Sequence, residues 1–451
     1  MKTRRIFSIF LMLLLSIQLL TAPAAALETP EVQAKAALLV DQKTGGIVYA
    51  MNEHDELFPA SLTKIMTALL VLEAVDQGKL ALNQTITVPA TAMEGLAADG
   101  STAGIQVGEM LTVEQLLYCM LVVSANEACT ILGEQVSGSV SAFVDAMNAK
   151  AKELGCENTH FVNPHGLHDS QHYTSAWDLY LITKAAMEYP MFMTICDTSA
   201  ITIPATNLSP ERPLYNTNYL ICGYRSRGYL NQNAHGVKTG SHSQAGHCLV
   251  STAQKASLDF LCVVLGGDRI QDAEGTWWTY SFLESNNLYN WAFENFTYQT
   301  ILKESDVAGE AAVSLSATDH VTLRPAEALE VLLPKDLDPA ELEQVITLNS
   351  DPIEAPIAEG DALGTLTLRL DGKDYASVDL LALTDVEASR IRVLWRDLQE
   401  FFSTTPVKIA GGAAGVLAAF WLVWKLFFSK RRYRYGKSVG KSRNGYRGRK
   451  R

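Results

Sequence analysis

"PASLTKIMTALL", residues 59–70, sets a serine and a lysine three positions apart at the start of an apolar helix. Leu62, Ile65, Met66, Leu69 and Leu70 cover most faces of that helix, which places it in a core rather than on a surface. An ammonium there has little water around it unless a cleft opens beside the serine. Residues three apart share a helix face, so the Lys64 amine comes within reach of the Ser61 hydroxyl. A buried amine next to a hydroxyl suits a base beside a nucleophile. The bland alternative is a lysine whose stem covers apolar surface while its tip reaches solvent. A second S-x-x-K, Ser438 to Lys441, sits in a Gly-rich basic stretch with no apolar helical pattern and reads as chance.

The flanking sequence predicts the layers around this helix. Upstream, "AKAALLVDQKTGGIVYAMN" (34–52) holds two β-rich segments joined by a Thr-Gly-Gly turn, the pattern of a hairpin. Helical stretches follow over 60–76, 112–134 and 140–154. "TSAWDLYLITKAAME" (174–188) opens with Thr174 and Ser175 as caps and carries Asp178 as a first-turn charge. "GHCLVSTAQ" and "LDFLCVVLGG" read as paired strands, and "TWWTYSFLESNNLYNWAFENF" (276–296) as a closing helix. This order, strand pair, helical block, strands and terminal helix, predicts an α+β fold with an antiparallel sheet flanked by helices. From about residue 303, short alternating segments with turn signals such as Asp371-Gly372 predict a small all-β, sandwich-like domain ending near Asp385.

The two ends differ from the rest. Residues 1–26 pass from "MKTRR" through an apolar run to "APAAA", the layout of a secretory leader cut after Ala26. Residues 407–428 are long and apolar enough for one membrane helix, with Trp421, Trp424 and Lys425 near one end as interface anchors. Residues 429–451 carry eleven Lys or Arg and no acid, which assigns them to the cytoplasmic side. The expected organisation is a leader (1–26), a catalytic domain (27–300), a β domain (301–385), a juxtamembrane helix and linker (386–406), a span (407–428) and a basic cytoplasmic tail (429–451).

Charge follows this division. The whole chain has a net charge of −12, but 21 basic residues face 49 acidic ones once the leader, span and tail are set aside. So acidic an exported part argues against nucleic acid or anionic polymers as strong general ligands and leaves anion binding to local cationic sites. The seven cysteines are odd in number and form no C-x-x-C, which favours buried thiols over a disulfide framework or a metal site. No metal or cofactor is implied.

Two further groups complete a pattern. "LLYCMLVVSANEACT" (116–130) presents Ser124 and Asn126 at a break after an apolar helix, and small polar residues there could equally cap the next helix. "GVKTGSHSQAGHCLV" (236–250) brings Lys238, Thr239 and Gly240 into a strand. A second K-T-G, at 43–45, falls in the hairpin tip, where a turn accounts for it.

S-x-x-K on a helix, S-x-N after an apolar helix and K-T-G on a late strand, in that order, resemble the penicillin-binding proteins and serine β-lactamases. Within these, the stretches "FPASLTKIMTALL", "LTVEQLLYCMLVVSANEA", "FVNPHGLHDSQHYTSAWDL" and "GVKTGSHSQAGHCLVSTA" look like blocks of the serine-type D-alanyl-D-alanine carboxypeptidases of low molecular mass, over residues 33–295. The β domain fits that family's stalk, while Ala125 stands where glycine is common.

The resemblance implies an acyl-enzyme on Ser61, Lys64 as its base and Ser124 as a proton relay. Asn126, Lys238, Thr239, Gly240 and Ser241 would bind substrate, with the Ser61 and Ser241 amides as oxyanion hole. Implied partners are the peptidoglycan stem peptide ending in D-Ala-D-Ala, β-lactams as covalent inhibitors, and the cell membrane, the catalytic domain lying outside. His165, His168 and His172 fall in a family block without a metal role.

Two alternatives stay open on sequence alone. A β-lactamase shares the three motifs, although no E-x-x-L-N of the class A type lies between Ser124 and Lys238. A penicillin-sensing or wall-binding protein would keep the pocket without turnover.

Overall fold

A computed structural model describes residues 27–97, 100–370 and 372–428. The leader expected at 1–26, the basic tail at 429–451 and Asp371 of the predicted turn lie outside the described residues.

The chain folds as two compact units. The first holds the described residues up to Lys303, together with the segments Ala328–Val345 and Thr367–Ser377. Its centre is a sheet of β1 (Ala36–Asp41), β2 (Ile47–Met51), β3 (Ala234–His242), β4 (Gly246–Lys255) and β5 (Leu258–Gly267). These lie in the order β2-β1-β5-β4-β3, every neighbour antiparallel, as the element order predicts.

Successive strand residues point to opposite faces, and both faces of this sheet are covered. Leu38, Val40, Val250 and Val263 pack into the larger core with the helices of the middle block. Ala37, Leu39, Leu249 and Val264 pack on the other side against Phe282, Leu288, Tyr289 and Phe293 of the closing helix. Burial on both faces explains why β1 and β5 read as continuous apolar runs instead of alternating ones.

The helices of this unit are α1 (Lys64–Asp76), α2 (Val113–Val122), α3 (Asn126–Ser137), α4 (Val140–Glu153), α5 (Ala176–Met187), α6 (Pro190–Cys196) and α7 (Tyr280–Asn295). α1 is buried on almost every face, so it is the core helix its composition predicts. Ser175 caps α5 by accepting from the Asp178 amide.

Three local expectations need correction. Ser61 is not on the helix but in a 3-10 turn, Ala60–Thr63, whose end runs into Lys64. Residues three apart eclipse in that geometry, so the serine and lysine still meet. The stretch 112–134 is two helices, because Ser124 takes φ of +65° between them. The closing helix begins only at Tyr280, since Trp277–Thr279 pairs as a strand with Arg269–Gln271.

The second unit is β-rich. Gly309–Ser314 pairs antiparallel with His320–Pro325 and parallel with Ile353–Glu354, while Leu323 faces Ala382 across a further antiparallel pair. Val321, Leu323, Leu366 and Leu380 are buried within it. It continues into α8 (Arg390–Ser403) and α9 (Thr405–Phe428), the latter long and apolar enough to cross a membrane.

Candidate active site

The turn before α1, the break between α2 and α3, and strand β3 meet at one cleft of about 500 Å³. Ser61, Ser124, Thr239, Gly240 and Ser241 line it, while Lys64, Asn126 and Lys238 lie buried at its base. All eight residues singled out from the sequence therefore converge within the first unit.

Lys64 is fully buried and its amine is held by three oxygens. Its Nζ stands 2.9 Å from Ser61 Oγ, 2.8 Å from Asn126 Oδ1 and 2.7 Å from the His165 carbonyl oxygen. None of these is a carboxylate, and no salt bridge to Lys64 occurs among the described residues. Burial lowers its pKa to about 8, against smaller opposing effects of Cys129 and Glu127. The ordinary value is 10.5, so the neutral fraction near pH 7 rises to about a tenth, far above that of an ordinary lysine. A neutral amine within hydrogen-bond reach of a serine hydroxyl can take its proton.

The loop carrying "NPHGL" supplies this pocket's floor. Thr67 Oγ1 donates to the Pro164 carbonyl at 2.6 Å, and His172 Nε2 lies 2.8 Å from Thr63 Oγ1. Gly166 has φ of +86°, and a Cβ there would stand 1.8 Å from the Ala60 carbonyl oxygen. Only glycine lets the loop approach this closely. Burial first, then Lys64, holds the pKa of His165 at about 3, so this ring is neutral. His165 and His172 thus serve packing and hydrogen bonding in the loop under the Ser61 turn, a role that sequence spacing did not disclose.

Ser124 is held at a left-handed backbone position, a costly conformation for a residue with a Cβ. Its Oγ is buried and has no hydrogen-bond partner among the described residues. An orphaned hydroxyl facing a cleft is ready to bond an entering group.

Lys238 is also buried, with Nζ donating to the Thr239 carbonyl at 3.0 Å. Burial and then the Lys64 charge lower its pKa to about 7. Thr239 Oγ1 lies 2.6 Å from Thr217 Oγ1, which makes a small polar rim. Arg225 and Arg269 also line the cleft, and among the described residues no acidic side chain does. Neither arginine stood out in the sequence, because Arg225 in a loop and Arg269 in a short strand both lie outside the three motifs. The other K-T-G is elsewhere: Lys43 Nζ reaches Glu330 at 2.6 Å on the surface.

This geometry agrees with comparisons to known proteins. Residues 23–269 match the D-alanyl-D-alanine carboxypeptidase family, and residues 296–388 match the C-terminal domain of penicillin-binding protein 5. The chain belongs to the D-alanyl-D-alanine carboxypeptidase family. D-alanyl-D-alanine carboxypeptidase DacF of Bacillus subtilis is 32% identical over 83% of this chain and 93% of its own. DacC of Escherichia coli is 31% identical over 81% of this chain and 87% of its own. Among solved structures, penicillin-binding protein 5 of Haemophilus influenzae is 30% identical with a TM-score of 0.65, covering 80% of this chain and 99% of that one.

Proposed function

We propose that this protein is a serine-type D-Ala-D-Ala carboxypeptidase that removes the terminal D-alanine from peptidoglycan stem peptides and so limits their cross-linking. The observation that carries the reading is the fully buried Lys64 amine, 2.9 Å from Ser61 Oγ and without a carboxylate partner among the described residues. Ser61 Oγ attacks the carbonyl of the terminal peptide bond while Lys64 accepts its proton. The oxyanion is met by the Ser61 and Ser241 amides, where preorganised donors contribute most. Ser124 relays a proton to the departing D-alanine amine, and water then hydrolyses the Ser61 ester. Asn126 holds the substrate amide. Lys238, Thr239 and Gly240 form the wall that receives the terminal carboxylate.

A β-lactam offers a strained amide beside a carboxylate, so it acylates the same serine, and its leaving group stays tethered. The protein is anchored to the cell membrane through α9, with the catalytic unit on the extracytoplasmic face. Support comes from the apolar helix 405–428 and the eleven-base segment that follows it.

Incubation with a pentapeptide ending in D-Ala-D-Ala should release free D-alanine. Penicillin should add one drug mass to the peptide containing Ser61, and Ser61→Ala should abolish both. Rapid repeated turnover of penicillin would replace this reading with a β-lactamase. A stable adduct without D-alanine release would replace it with a sensor.

A further inference from the structure

Glu127 is an acid that the acyl-transfer scheme does not use, yet it is buried in the first turn of α3, one residue after Asn126. Its Oε1 accepts two hydrogen bonds from a segment distant in sequence, from Thr102 Oγ1 at 2.7 Å and from the Ala103 amide at 2.8 Å. The same segment is tied to the neighbouring residue, because the Asn126 amide donates to the Ser101 carbonyl at 2.9 Å. From its other side, Arg212 Nη1 donates to the Ala103 carbonyl at 3.0 Å. Ser101 lines the cleft, and Asn126 Oδ1 accepts from Lys64. Gly100 packs so tightly here that a Cβ would stand 2.8 Å from Asn126 Nδ2.

Resting on the acyl-transfer reading above, we propose that Glu127 is a positioning residue: its carboxylate clamps residues 101–103 against the first turn of α3 and thereby fixes Asn126 and the Ser101 edge of the cleft. Charge-assisted bonds to a buried carboxylate are shorter and stronger than neutral ones. Here two converge on one oxygen. Loss of the clamp leaves the Thr102 hydroxyl and the Ala103 amide without their acceptor and lets Asn126 move away from Lys64. Electrostatics adds a second effect. The charged or titratable groups acting on Lys64 are Glu127 and Cys129 from α3, Lys238 from β3 and His165 from the loop below. Of these, Cys129 and Glu127 favour the protonated amine, and with the Cys129 thiol pushed up to about 11 by burial, Glu127 is the one that carries a full negative charge at neutral pH.

Glu127→Gln separates the two effects, since an amide oxygen can accept both bonds while the charge disappears. The measurement is the rate of Ser61 acylation by penicillin as a function of pH, together with the melting temperature. Glu127→Gln should keep its plateau rate within about threefold while its rising limb moves to lower pH. Glu127→Ala should lose about tenfold or more of the plateau rate. Glu127→Asp, which keeps the charge but shortens the reach to the Thr102 hydroxyl and the Ala103 amide, should lose plateau rate without moving the limb, and it serves if Glu127→Ala does not fold. The proposal is overturned if Glu127→Ala acylates like the wild type, if Glu127→Gln loses as much as Glu127→Ala, or if Glu127→Asp retains full rate. A wild-type protein that penicillin does not acylate would instead overturn the reading of the site.

Discussion

Strand β3 passes so near the turn of the nucleophile that a Cβ on Gly240 would stand 3.1 Å from the Ser61 amide nitrogen and 2.7 Å from the Pro59 carbonyl oxygen. Gly240 directly precedes Ser241, so this approach sets the strand that carries the Ser241 amide against the Ser61 turn. Gly240→Ala should therefore push strand and turn apart, at a cost of about 1–3 kcal/mol in overpacking. Acylation of Ser61 by penicillin should fall at least tenfold, with the far-ultraviolet dichroism unchanged. Full activity in this variant would show that the close approach is not required.

The lowered pKa of Lys64 fixes a pH dependence. With the amine near 8, the neutral base is scarce at pH 6, about half formed at pH 8 and dominant above it. With saturating β-lactam, whose carboxylate holds Lys238 in its protonated form, the acylation rate should rise through this window and flatten well below 10.5, the ordinary lysine value. Stopped-flow acylation with a chromogenic β-lactam would read the midpoint. A limb centred near 10.5 would mean that burial does not depress this lysine.

Replacing Lys64 itself removes the base while leaving the nucleophile in place. Lys64→Gln should slow acylation by roughly 10²–10⁴, the usual contribution of a positioned general base. Because the Gln amide has no titratable proton acceptor, the remaining rate should lose its dependence on pH near 8. Retention of that limb would assign it to another group.

The two K-T-G sequences provide an internal control. Lys238→Gln should weaken turnover of D-Ala-D-Ala peptides by ten- to hundredfold, about 1.5–3 kcal/mol for one charge-assisted contact. Lys43→Gln removes an exposed pair with Glu330 and a contact over the Tyr298 ring, both away from the cleft, and exposed pairs contribute ~0–1 kcal/mol to stability. Its kinetics should match the wild type. Equal losses at the two positions would refute the assignment of Lys238.

Helix α8 carries an exposed apolar face. Ile391, Leu394, Trp395, Phe401 and Phe402 are exposed on it, directly before α9. A chain ending at Thr404 should therefore still bind anionic lipid vesicles, whereas one ending at Glu387 should remain in the supernatant on sedimentation. Equal partitioning of the two would remove any role for α8 at the lipid surface.

What could be read from the sequence was whatever local pattern encodes. The apolar α1 with its out-of-place lysine, the strand pairs, the cap at Ser175 and the antiparallel sheet all follow from periodicity and end signals over a dozen residues. The three motifs were legible because each is contiguous, and their order named the family. Tertiary structure decided the rest. Only the folded chain carries Lys238 to the base of the cleft while Lys43 stays on the surface, because strand pairing places β3 against the Ser61 turn. Only the fold brings the His165 carbonyl under Lys64 and Glu127 under residues 102 and 103, contacts across 101 and about two dozen positions of chain. The pKa of Lys64 belongs to this second class as well. Its main cause is loss of water, and how much water a side chain loses depends on every element packed around it.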